Sequence, residues 1–190
     1  MTRLMARAVV AVLSSVLVAS CTGGSPTSTT PTATEADVVA WLDQVCGAVA
    51  GTASGLSTEP SIDLSDPAKL KAGLSDWLSI QLAAAEKSAG ELEPLENGPH
   101  PKAGELVGAA ENGVGQIRTL LSDTKSKVDS APDATAVITA FTEMMTKAAA
   151  VENTGADVRR KVDESGLAEA AKKAGKCREL DPSTSSQPTS

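Results

Sequence analysis

Catalysis near neutral pH draws on imidazole, thiolate and paired carboxylates, and this chain of 190 residues offers few of them in useful company. His100 is its one histidine, held between Pro99 and Pro101 in the turn-forming run Asn97-Gly98-Pro99-His100-Pro101. A solvated turn residue is the expected role. One histidine excludes a di-iron bundle, which takes a Glu-x-x-His from each of two helices. A Ser-His-Asp hydrolase would need a nucleophile elbow, and no Gly-x-Ser-x-Gly occurs. Asp and Glu are scattered as on solvated helix faces. Gly104, Gly108, Gly113 and Gly115 follow no strand, so they are not a phosphate loop. Close helix contact or local helix weakness is their expected role, with a ligand-admitting gap as the sharper alternative. The cysteines are Cys21, Cys46 and Cys177, with no Cys-x-x-Cys. No catalytic residue, metal ligand or cofactor site is therefore assigned, and the chain is not expected to be an enzyme.

Cys21 has the most informative surroundings. Arg3 and Arg7 precede an apolar run from Ala8 to Ala19, and no acidic residue occurs before the cysteine. Charge followed by a short apolar segment is the pattern of a secretory signal peptide, too short to favour a transmembrane helix. Val18-Ala19-Ser20-Cys21 resembles the bacterial lipobox, an aliphatic residue and two small residues before Cys. The resemblance implies removal of residues 1–20 and a diacylglyceryl thioether on Cys21, holding the chain to the extracytoplasmic face of the cell membrane. The arginines are not adjacent, so a twin-arginine route is not expected.

Lipid on Cys21 would leave Cys46 and Cys177, and an exported chain with two remaining cysteines usually pairs them. Such a bridge closes a loop of about 130 residues, for which the chain-entropy model allows at most about 5 kcal/mol. A reactive thiol pair or a metal site is the alternative, without support from spacing or from further histidines.

Composition narrows the partners. Loss of Arg3 and Arg7 takes the Lys and Arg count from 17 to 15 against 24 Asp and Glu, a formal charge of −9. That polyanion is a poor candidate for nucleic acid. Trp41, Trp77 and Phe141 are the only aromatic residues, which argues against a stacking platform or a large aromatic pocket. Both tryptophans are expected in or beside the core.

The remaining chain reads as an all-α, up-down bundle of four main helices over 35–180, plus a short C-terminal helix. A Ser/Thr/Pro-rich tether over 21–34 and a similar tail over 181–190 cannot bury a core and are expected to be disordered. The first helix starts at the Thr34 to Asp37 capping signal, shows Val38, Leu42, Val45 and Val49 in register, and weakens at Gly51 and Gly55. The second is capped by Asp66-Pro67, with Leu70, Leu74, Trp77, Leu78, Leu82, Ala85, Ala89 and Leu92 as its stripe. The third starts at Pro101 and buries Val107, Ala110, Val114, Ile117, Leu121, Thr124 and Val128. The run Ser130-Ala131-Pro132-Asp133 ends it and caps a fourth, marked by Val137, Phe141, Met144, Ala148, Val151, Gly155, Val158 and Val162. Ser165-Gly166 breaks the chain, and a single helix from Leu167 to Lys176 ends at Cys177.

From Val158 to Arg178, seven basic residues face three acids, a local charge of +4. Basic residues suit helix C-termini; contact with anionic headgroups is the alternative. With the run Trp41-Leu42-x-x-Val45-Cys46 on the first helix, the layout resembles the small helical lipoproteins of actinobacteria. That resemblance implies location and architecture, and no functional residue beyond Cys21. The expected function is a non-enzymatic bundle displayed to other envelope components. A carrier of a small apolar ligand between the helices is the second reading, and it needs an apolar cavity near the glycine-rich stretch.

Overall fold

The computed structural model describes residues 33–180 except Ser57 and Ser61, with the backbone alone for 149–157. Cys21, the leader, residues 21–32 of the tether and the tail over 181–190 lie outside the described residues.

Local chemistry sets the ends of each helix. α1 (Glu35–Leu56) opens on a reciprocal cap. The Thr34 N–H donates to Asp37 Oδ2 at 2.8 Å, and the Asp37 N–H donates back to Thr34 Oγ1 at 3.2 Å. α2 (Pro67–Leu92) is capped by Asp66, whose Oδ1 accepts from the N–H groups of Ala68 and Lys69 at 2.9 and 3.3 Å. A 3-10 turn (Glu93–Leu95) leads to α3 (Ala103–Ser130). α3 starts two residues after Pro101, because the turn closes first: the Ala103 N–H bonds the His100 carbonyl at 2.9 Å. Asp133 caps α4 (Ala134–Glu164), accepting from the Ala136 N–H at 2.9 Å. α4 stops in a Schellman motif, with Gly166 at φ 74°, Gly166 N–H on the Asp163 carbonyl and Leu167 N–H on that of Val162.

α1 ends at Leu56, one residue past Gly55, and Gly51 and Gly55 let its last turns approach α2. A Cβ on Gly51 would lie 3.4 Å from Ser88 Oγ, and one on Gly55 would lie 2.3 Å from Gln81 Oε1. The last segment is not one helix but two, α5 (Ala168–Lys173) and α6 (Gly175–Glu179). Ala174 is extended, at φ −73° and ψ 120°, and separates them. Cys177 therefore lies inside α6 rather than beyond a helix.

Cross-helix bonds give the directions. Trp41, early in α1, donates from Nε1 to the Leu95 carbonyl after α2, at 2.9 Å. Ser75, early in α2, donates to Asp129 near the end of α3 at 2.6 Å. Lys161, near the end of α4, reaches Glu105 at the start of α3 at 2.9 Å. Consecutive helices thus run antiparallel, up and down, and no strand occurs among the described residues. The buried centre holds Leu42, Leu78, Leu92, Leu106, Val107, Leu121, Val128 and Val137. Trp77 stacks edge-on against Phe141, ring centroids 6.1 Å apart.

Among the described residues the ring of helices is not closed. α4 packs on α3, and to a smaller extent on α2 and α5. Among the described residues it does not reach α1, whose free side is covered by α5 and α6. None of the described helices is long and apolar enough to cross a membrane.

Candidate functional site: the stapled end of the bundle

Cys46 and Cys177 are joined as a disulfide, their Cα atoms 5.0 Å apart across 131 positions of sequence. The bridge pins α6 to the middle of α1, and polar contacts surround it. Asp43, one turn before Cys46, accepts the Lys176 N–H on Oδ1 at 2.8 Å. A carboxylate of the first helix thus supplies the N-terminal cap that α6 lacks in its own sequence. Gly47 sits under the Lys176 side chain; a Cβ there would lie 3.7 Å from Cγ. Lys173 pairs with Glu35 in the first turn of α1. Glu35 opens α1 about three turns before Cys46, so it is α5 that lies beside the start of the helix.

The basic segment over 158–178 is folded among carboxylates. Lys161 meets Glu105 at 2.9 Å, Lys172 meets Glu169 at 2.6 Å and Lys176 meets Glu179 at 2.9 Å. Arg160 lies 3.7 Å from Glu164. Hydrogen bonds from Lys161 and then Lys102 hold Glu105 below the usual carboxylate range. Glu169, Glu35 and Glu179 in turn raise Lys172, Lys173 and Lys176. Much of the +4 read from sequence is therefore answered inside the fold.

His100 is half-buried, and its Nδ1 accepts the Lys102 N–H at 3.2 Å, a bond that shapes the turn before α3. No group of three or more His, Cys, Asp or Glu among the described residues is placed to hold a metal ion. Trp41 and Trp77 are buried and spend their N–H groups on structure, Trp77 donating to the Thr58 carbonyl at 2.7 Å. Along α3, added Cβ atoms on Gly108 and Gly115 would meet open space, and one on Gly104 only the Glu96 carbonyl at 3.5 Å. These glycines weaken the helix rather than admit a close neighbour. Near Gly115 lies an open depression lined by Asn112, Gln116, Arg118, Thr119, Asp123 and Lys147, with Leu120 its one large apolar residue.

No protein-family model, curated protein or solved structure gives a significant match to this chain. The cysteine pair was legible from arithmetic on the sequence. Asp43 was not singled out, although it stands three residues before Cys46 and so on the same face of α1.

Proposed function

We propose that this chain is an exported lipoprotein, anchored through Cys21 on the extracytoplasmic face of the cell membrane, that displays a non-enzymatic helical bundle to other envelope components. The observation that carries the reading is the Cys46–Cys177 disulfide. Structural disulfides belong to oxidising compartments, and this one leaves Cys21 as the odd cysteine, behind an apolar run and two small residues. A tether would join the bundle where Ala33 and Thr34 lead into α1, beside the contact of Lys173 on α5 with Glu35. Ile138 and Met145, both exposed and one heptad apart on one face of α4, would supply apolar area for a partner.

The test is mass spectrometry of the protein extracted from its own envelope. A mature N-terminus at Cys21 carrying a diacylglyceryl mass is expected, with Cys21→Ser losing both the lipid and partition into detergent. A lipid-free N-terminus elsewhere would overturn the anchor. Native spectra of the same extract are expected to retain a protein partner; a reproducible small apolar mass would replace display with the carrier reading.

A further inference from the structure

We infer that α5 and α6 form a redox-releasable strap: reduction of Cys46–Cys177 frees residues 166–180 from α1 while α1 to α4 remain folded. The inference does not depend on the lipid anchor.

The strap holds little structure by itself. α5 has six residues and α6 has five. Isolated helices shorter than about 12 residues are marginal in water, so neither persists undocked. Its buried apolar contacts are one leucine and two alanines, Leu167, Ala170 and Ala174. Ala171 and Cys177 add partly buried apolar contact, and the remaining grip is polar and open to water, Asp43 on the Lys176 N–H and Lys173 on Glu35. The main bundle is built differently. Leu78, Leu106, Leu121, Val128 and Val137 are all 1% exposed or less, and large apolar side chains carry most of the burial energy of a fold. Removing the strap's pin therefore takes away a large share of what docks the strap and little of what holds the core.

The bond is also within reach. Both cysteines are half-buried rather than enclosed. A dithiol balances the step: one of its thiolates attacks a bridge sulfur, the Sγ–Sγ bond breaks and a mixed disulfide forms. The second thiolate then displaces the protein sulfur, the reductant leaves as its own cyclic disulfide, and Cys46 and Cys177 end as protonated thiols. Release bares the stripe of α1 that carries Glu35, Asp43, Cys46 and Gly47, beside the point where the tether reaches the bundle.

Hydrogen exchange read by mass spectrometry tests this on the full chain, oxidised, reduced with dithiothreitol, and as the Cys46→Ser/Cys177→Ser variant. Amide protection over 168–180 should fall on reduction by about tenfold or more, to the level of unstructured chain, while α2 and α3 lose at most the loop-closure contribution and stay protected. Unchanged strap protection in the reduced protein overturns the inference. So does loss of protection throughout the bundle, which would make the disulfide a determinant of the whole fold. A bridge that stays oxidised in the folded chain at millimolar dithiothreitol overturns it as well. The reduced wild-type protein decides the matter if the double variant does not fold.

Discussion

Asp43 Oδ1 on α1 accepts the backbone N–H of Lys176 on α6 at 2.8 Å, so the first main helix caps the last. A cap borrowed across 133 positions does two jobs at once. It satisfies an N–H that a five-residue helix would otherwise leave unpaired, and it orients α6 so that Cys177 meets Cys46. Replacing Asp43 with Ala removes the acceptor. Loss of an N-cap costs about 1 kcal/mol. In the oxidised protein that loss should appear as faster amide exchange at 175–179, with little change in α3. Equal exchange in the variant and the parent would show that the cap adds nothing to the disulfide.

Glycines in this chain divide by what lies beside them. A Cβ on Gly98 would fall 2.3 Å from Trp41 Nε1 and 2.5 Å from Cε2 of the rigid indole. Gly98→Ala must push the ring off the Leu95 carbonyl, and overpacking of this kind costs about 1–3 kcal/mol. Gly108→Ala and Gly115→Ala face open space on α3, so each should stabilise by about 0.5–1 kcal/mol through helix propensity. Denaturant unfolding of the three variants checks both signs, and tryptophan emission should shift for Gly98→Ala alone.

What could be read in advance followed chemical locality. Thr34, Asp66, Asp133 and Gly166 mark helix ends through bonds to residues two or three positions away, and all four stand where their types place them. The repeat on α3 names most of its buried face, Val107, Ala110, Val114, Leu121, Thr124 and Val128, but Leu106 is buried outside it and Ile117 is only half-buried. On α1 the buried set is Trp41, Leu42, Val45, Ala48 and Thr52, while Val38 and Val49 are only half-buried. Which edge of an apolar stripe is covered depends on helices elsewhere in the chain. The break at Ala174 has a local signal that went unread, Gly175, the residue type that most often stands just past a helix end. Asp43 and Cys46 act on it from α1. The candidate site was half legible for the same reason: counting cysteines finds the bridge, but the residues that seat it are set by a distant contact.

Two buried hydroxyls on facing helices bond each other, Thr52 Oγ1 donating to Ser88 Oγ at 2.8 Å. Thr52→Val keeps the shape and strands Ser88, at a cost of about 1–3 kcal/mol. Adding Ser88→Ala removes the stranded group, so the double variant should recover part of the loss, and the cycle isolates the coupling. Gln81 is the reverse case. It is 2% exposed, and its Oε1 has no hydrogen-bond partner among the described residues. Gln81→Met should therefore raise stability by about 1 kcal/mol, because a buried carbonyl without a partner is a net cost. Thermal unfolding of these variants orders them, and a destabilised Gln81→Met would mean that the amide has a partner after all.

Opposite pH responses are expected at the two ends of α3. Hydrogen bonds from Lys125 and then Ser75 hold Asp129 below its ordinary value. Its folded pKa is lower than its unfolded one. The stability it contributes is thus fully present above the ordinary range near about 4 and disappears as pH falls through the lowered value. Glu111 is shifted the other way, first by burial and then by Glu96 and Glu93. The folded chain binds that proton more tightly than the unfolded chain. The cost of ionising Glu111 is fully present above its raised value and vanishes as pH falls below the ordinary range. Asp129→Asn should therefore lower Tm at neutral pH, and Glu111→Gln should raise it. Both differences should shrink toward zero on acidification, the Glu111 effect fading at the higher pH of the two. A Glu111→Gln variant no more stable than its parent at pH 7 would mean that solvent already screens the Glu93, Glu96 and Glu111 cluster, and the acid response would then rest on the lysine-bonded carboxylates alone.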